Sequence, residues 1–123
     1  MDLSAAVRRL DEMLESGDSV RFEAELVRNP YSLKVWYGYL ESLNEASFSE
    51  RRLVYERALR LVPRSYKLWR MYLEECEVAV RDRWTTSGRA TVVRRTYERA
   101  LVHLHKMPRL WLDYCACLRR MGL

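Results

Sequence analysis

Glycine and proline are scarce in this chain, four and three among 123 residues, so turn punctuation is sparse and a helix-rich protein is the natural reading. No apolar run approaches the roughly 20 residues needed to cross a bilayer. Met1-Asp2-Leu3-Ser4 lacks the basic start and apolar stretch of a secretory signal, and we expect an intracellular protein without membrane contact. Cysteine is confined to Cys76, Cys115 and Cys117, an odd number that suits reduced thiols in a helical core rather than a disulfide framework. A phosphate-cradling Gly-rich loop, a nucleophile elbow and a metalloprotease motif are all missing. No enzyme activity is expected, and neither a catalytic, cofactor or metal site nor a small-molecule substrate.

What is present is a repeat. Hydrophobic residues at 49% and charged ones at 32% exclude disorder and suit amphipathic helices with solvated outer faces. Tyr97-Glu98-Arg99-Ala100-Leu101 precedes Trp111, Tyr55-Glu56-Arg57-Ala58-Leu59 precedes Trp69, and a worn copy, Phe22-Glu23-Ala24-Glu25-Leu26, precedes Trp36. In each, the leading aromatic lies 14 residues before the tryptophan. The tryptophans sit in sets of identical spacing: Val35, Trp36, Tyr39, Leu40, Leu43; Leu68, Trp69, Tyr72, Leu73, Cys76; and Leu110, Trp111, Tyr114, Cys115, Leu118. A repeat of this kind predicts an all-α, antiparallel helix-pair solenoid, in which each pair buries its faces only by stacking on the next.

The chain reads as a single domain over 1–123, with an N-terminal helix in 1–17 and helix pairs in 18–47, 48–83 and 89–122. The first helix, Leu3 to Leu14, carries a stripe of Leu3, Ala6, Val7, Leu10 and Leu14. The second runs from a cap at Asp18 or Ser19 to Asn29-Pro30 with Val20, Phe22, Leu26 and Val27 apolar, and the third starts at Ser32. Ser49 leads into the fourth, Ser65 caps the fifth, which runs through Val80 into Arg83, the sixth starts at Thr91 and the last runs from Pro108 to Met121-Gly122. Trp36 to Trp69 spans 33 residues and Trp69 to Trp111 spans 42, so nine extra residues precede Tyr97 and hold an insertion loop at 84–88. The expected repeat core is Phe22, Trp36, Tyr39, Tyr55, Ala58, Trp69, Tyr72, Tyr97, Ala100, Trp111 and Tyr114, with Ala58 and Ala100 letting backbones approach the aromatics.

The net charge of +5 is uneven: residues 1–45 hold 5 Lys/Arg against 9 Asp/Glu, and residues 46–123 hold 17 against 8. Between 78 and 109 there are 8 basic residues and 2 acidic ones. A solvated helix face explains such a run. So does contact with RNA or an acidic partner through Arg81, Arg83, Trp84 and Arg89, since Trp84 lies outside the core pattern and basic groups beside an aromatic suit RNA. His103, His105, Cys115 and Cys117 supply zinc-type ligands, but residues two apart on a helix diverge, and Cys115 is expected in the core where Leu40 and Leu73 stand. Glu56 and Glu98 each follow an arginine by four residues, Arg52 and Arg94, which suits helix-surface ion pairs rather than acid/base catalysis.

The tryptophan-plus-tyrosine first helix and the Tyr-Glu-Arg-Ala-Leu second helix resemble the half-a-TPR (HAT) repeat. Ser65-Tyr66-Lys67-Leu68-Trp69 and the run His105-Lys106-Met107-Pro108-Arg109-Leu110-Trp111-Leu112-Asp113-Tyr114-Cys115 are similar to the N-terminal repeats of the Syf family of pre-mRNA splicing factors, also described as XPA-binding HAT proteins, to which crooked-neck is related. The resemblance covers roughly 20–123. It implies a nuclear, non-enzymatic scaffold in the nineteen complex of the spliceosome whose partners are other splicing proteins. The first copy departs from the pattern at Ala24 and Glu25, which marks it as degenerate or a cap. An RNA-binding module using 78–109, and a general TPR-like adaptor, are the alternatives.

Overall fold

Helix-favouring composition and three capping serines set the local structure. In the computed structural model of the chain the described residues are 3–14, 18–81 and 88–122, without the side chains of 9–14 and 89. They form seven α-helices: α1 (Leu3–Leu14), α2 (Asp18–Arg28), α3 (Leu33–Ser42), α4 (Phe48–Leu61), α5 (Tyr66–Val80), α6 (Arg89–Leu104) and α7 (Pro108–Arg120). No strand occurs among these residues, and the protein is all-α.

Ser32 and Ser65 cap α3 and α5, accepting from the backbone N–H of Val35 and Leu68. The cap of α4 is Ser47, two residues earlier than Ser49. Its side chain accepts from Glu50 N–H while the Glu50 carboxylate accepts from Ser47 N–H, a reciprocal capping box. Gly88, at φ 63, turns the chain into α6 two residues before Thr91. At α7 Met107 is the cap and Pro108 opens the first turn, where its missing N–H goes unneeded. The expected run of α5 into Arg83 and the insertion loop at 84–87 lie outside the described residues.

The chain divides into two compact units, Met1–Val62 and Pro63–Leu123. In the first, α2 packs on α1 and α3, and α4 on α1 and α3. Its core joins Trp36, Tyr39, Leu40 and Leu43 of the α3 segment to Val54, Tyr55, Ala58 and Leu59 of α4. Gly38 lets α2 come close, because a Cβ there would stand 3.0 Å from the Phe22 ring. The face of α2 differs from the expected one: Ser19 and Leu26 are buried with Phe22 and Glu23 partly so, while Val20 and Val27 point to solvent. Positions 19, 22, 23 and 26 keep the i, i+3, i+4, i+7 spacing, so the stripe is shifted by one residue. Leu3 and Val7 of α1 are likewise exposed and Ala6 is buried.

In the second unit α6 packs on both α5 and α7. Leu68, Trp69, Tyr72, Leu73 and Cys76 from α5, Val93, Tyr97, Ala100, Leu101 and Leu104 from α6, and Leu110 and Cys117 from α7 are buried.

Candidate functional site

The three tryptophans of the repeat, Trp36, Trp69 and Trp111, are seated by the same bond. The indole Nε1–H donates to the carbonyl six residues earlier, Pro30 for Trp36 at 2.8 Å, Pro63 for Trp69 at 2.7 Å and His105 for Trp111 at 2.8 Å. These carbonyls sit in the connectors just past a helix end, where backbone acceptors lack helical partners. The third copy keeps the geometry without a proline at that position.

The next layer is also repeated. Phe22 stacks on Tyr39 with centroids 5.5 Å apart, and Tyr97 on Tyr114 at 4.9 Å. The tyrosine then engages the glutamate following the leading ring, Tyr39 with Glu23 and Tyr114 with Glu98, whose Oε1 accepts from the phenol at 3.4 Å. Over Trp36 lies the guanidinium of Arg57, 5.5 Å from the ring centroid, and the same group donates two bonds to Glu23, at 2.5 and 2.9 Å. Over Trp69 lie Arg99 at 5.7 Å and His103, stacked at 6.4 Å.

The copies part at α7. Trp36 and Trp69 are each 1% exposed, whereas Trp111 is 46% exposed. Tyr114 and Leu118 are half-buried, and Cys115 and Leu112 are exposed. This corrects the expectation that Trp111, Tyr114 and Cys115 are core. Burial of the first two tryptophans is completed by the arginine-bearing helix that follows each in sequence, α4 for Trp36 and α6 for Trp69. Among the described residues no cation or second ring is stacked on Trp111. Cys117 is the buried thiol of α7, because it faces Tyr97 and Glu77.

Glu98 is exposed and forms no ion pair with Arg94 among the described residues. Its pairing with Tyr114 was missed from sequence, although the signal was there: a glutamate follows the leading ring in all three copies. A second missed pair is Glu77 of α5 with Arg120 of α7, a two-pronged contact at 2.5 and 2.9 Å. Beside it Arg70, Glu74, Asp113 and Ala116 help line a groove of about 180 Å³. Tyr66 O–H donates to Asp113 across the same two helices at 2.5 Å.

Of the basic segment, Arg81 is exposed, while Arg83, Trp84 and the Arg89 side chain lie outside what is described. Arg99 is committed to Trp69 and Arg109 pairs with Asp113 at 3.6 Å. Arg94, Arg95 and Lys106 face solvent. His103 lies against Trp69 while Cys117 is buried on α7, and no group of three or more metal-ligating side chains gathers among the described residues.

The buried polar groups titrate abnormally. The Arg57 guanidinium holds the Glu23 carboxyl below its usual range, against an opposing push from burial. Burial, then the Glu23 charge, pushes the Tyr39 phenol from 10.0 up to about 12. Burial, then Glu77, pushes the Cys117 thiol from 9.0 up to about 11. Raised folded-state values mean that the stability these groups supply is full below 9.0 and 10.0 and is lost as pH climbs through about 11 and 12. We expect the urea midpoint to fall from about pH 9 upward. Cys117→Ala should lower the midpoint throughout but flatten its decline between pH 9 and 11; an unchanged slope in the variant would refute the assignment.

Residues 18–122 match the family described as pre-mRNA-splicing factor Syf1/CNRKL1 N-terminal HAT repeat. The chain is 43% identical over 114 residues, 93% of its length, to pre-mRNA-splicing factor SYF1 of Homo sapiens. It is 41% identical over 101 residues, 82% of its length, to SYF1 of Dictyostelium discoideum, and 37% identical over 105 residues, 84% of its length, to pre-mRNA-splicing factor cwf3 of Schizosaccharomyces pombe. The matched stretch covers 13%, 12% and 13% of those three relatives.

Proposed function

This chain belongs to the Syf1/CNRKL1 family of N-terminal HAT repeats, and from that membership we propose that it is a non-enzymatic protein-interaction scaffold of the nuclear pre-mRNA splicing machinery. The observation that carries the reading is the repeated aromatic seat, in which Trp36, Trp69 and Trp111 each make the same indole bond to the carbonyl six residues earlier. Stacked helix pairs of this kind form extended surfaces suited to binding other proteins. The polar groups within the fold support a structural role, since Glu23, Tyr39, Glu77 and Arg120 are all spent on one another or on Arg57. The names of the relatives supply the process. Membership of the nineteen complex, with its other subunits as partners, is the finer form of the proposal.

The test is the composition of complexes recovered with the tagged chain from nuclear extract, before and after nuclease. Splicing subunits that survive nuclease treatment are the expected result. Recovery of chaperones alone would point to a general adaptor, and loss of every partner after nuclease would point to RNA as the tether; either outcome rejects the scaffold reading.

A further inference from the structure

We propose that the groove between α5 and α7 is a docking site for an acidic segment of a partner protein, held at the mouth of the groove by Arg64, Lys67, Lys106 and Arg109. The inference gives the scaffold reading a partner of defined chemistry and rests on it only in taking that partner to be a protein.

A cation stands two residues before each tryptophan of the repeat: Lys34 before Trp36, Lys67 before Trp69 and Arg109 before Trp111. Each is the second residue of its helix, and α3, α5 and α7 have no acidic residue in the first turn. The start of a helix carries partial positive charge, so a cation there opposes the helix and a carboxylate would support it. The helices α2 and α4 follow that rule, with Asp18 and Glu50 in their first turns. Charges kept where they oppose local stability are expected to serve a contact outside the helix.

Lys34, Lys67 and Arg109 are all exposed, and so are the residues three positions earlier, Tyr31, Arg64 and Lys106. Lys34 and Lys67 keep that exposure although further helices of the chain follow them. The openness of these positions therefore belongs to the repeat and not to its last copy.

The second unit brings two such sets together. Its α6 packs on both α5 and α7. Asp113 joins the starts of the outer two: its carboxylate accepts from the O–H of Tyr66, the first residue of α5, at 2.5 Å and pairs with Arg109 of α7 at 3.6 Å. By helical spacing Lys67, Arg70, Glu74 and Glu77 share a face of α5, and Arg109, Asp113, Ala116 and Arg120 a face of α7. From Arg70 and Asp113 inward these residues line the groove of about 180 Å³. Lys67 and Arg109 stand at its head, with Arg64 and Lys106 in the connectors just before the two helices.

Charge names the occupant. At this end Arg64, Lys67, Arg70, Lys106 and Arg109 face the carboxylates of Glu74 and Asp113, which Arg70 and Arg109 already engage. Lys106 also follows the end of α6, where a cation is favoured, whereas at Lys67 and Arg109 the helix dipole opposes it. A phosphodiester chain suits the groove poorly, because its charge recurs at every nucleotide and would run onto Asp113, Glu74 and Glu77 beyond the mouth. A polypeptide can carry acidic side chains at the mouth and neutral or basic ones further in.

The full chain would be titrated at low ionic strength, by fluorescence anisotropy, with labelled octaglutamate and, separately, with labelled octauridylate. We expect saturable binding of octaglutamate, with octauridylate bound more weakly. The peptide should bind about tenfold more weakly when the protein carries Lys67→Gln and Arg109→Gln together, and less than about twofold more weakly for the charge-matched pair Arg94→Gln and Arg95→Gln in the first half of α6. The Lys67→Gln/Arg109→Gln variant should unfold at a urea midpoint no lower than the parent's, since it relieves the first turns of α5 and α7. No binding, equal weakening by the two double variants, or octauridylate bound as tightly as octaglutamate would overturn the proposal. So would a lowered urea midpoint, which would assign the two cations to the fold. Self-association of the chain that is lost in Lys67→Gln/Arg109→Gln would likewise overturn it, by naming a second copy as the occupant. Failure here would leave recovery of splicing proteins from extract untouched, whereas failure of that recovery would not alter the titration.

Discussion

Trp69→Ala is expected to lower the stability of the protein by about 3–5 kcal/mol, and Trp111→Ala by about 1 kcal/mol or less. The two side chains are equivalent in the repeat and make the same indole bond, to Pro63 and His105. Their surroundings are not equivalent. Trp69 is enclosed by Tyr72, with centroids 6.5 Å apart, by His103 and by the Arg99 guanidinium. Its removal opens a cavity against atoms of two helices and strips the Pro63 carbonyl of its donor. Trp111 has nearly half its surface in water, so truncation there removes less buried area and leaves no enclosed hole. Set against a total of about 5–15 kcal/mol for a domain, the first loss is severe and the second tolerable. Urea unfolding followed by far-ultraviolet circular dichroism separates them. Equal losses for the two variants would mean that exposure does not govern the energetics of these positions.

The contrast also shows what residue spacing conveys and what it does not. The 14-residue step from ring to tryptophan located α2 to α7 and placed Trp36, Tyr39, Tyr55, Ala58, Trp69, Tyr72, Tyr97 and Ala100 correctly in the core. Spacing identifies residues that share a helix face; it does not say whether another helix arrives to cover that face. Trp111, Tyr114 and Cys115 share the pattern of their buried counterparts, yet Trp111 and Cys115 are exposed and Tyr114 is half-buried. Val27 failed differently, since the true stripe of α2 runs through Ser19 and Glu23, polar residues that burial of an apolar pattern would never select. Both are retained by specific bonds, Ser19 to Tyr39 and Glu23 to Arg57. The i, i+4 rule assigns Glu98 to Arg94, yet Tyr114, on the next helix, takes it. Pairings between helices, such as Glu77 with Arg120, carry no local signature at all.

That last pair gives the other large effect. Arg120→Ala is expected to cost about 2 kcal/mol near neutral pH, while Glu77→Leu costs clearly less. The reason is the asymmetry of the pair: the Glu77 side chain is 7% exposed and the Arg120 side chain 50%. Removing the arginine strands a carboxylate in the interior between α5 and α7, where Tyr97 and Cys117 are its neighbours. Breaking a fully buried pair in this way costs roughly 3–5 kcal/mol, and the half-exposed arginine brings the expected figure down because water already screens part of the interaction. Removing the glutamate leaves an arginine that can turn into solvent, and leucine fills the space with apolar surface. The double variant Glu77→Leu/Arg120→Ala should therefore be more stable than Arg120→Ala alone, a sign that simple loss of a favourable contact cannot produce. A double variant less stable than Arg120→Ala, as read from urea midpoints, would show that the carboxylate is not stranded when its partner is removed.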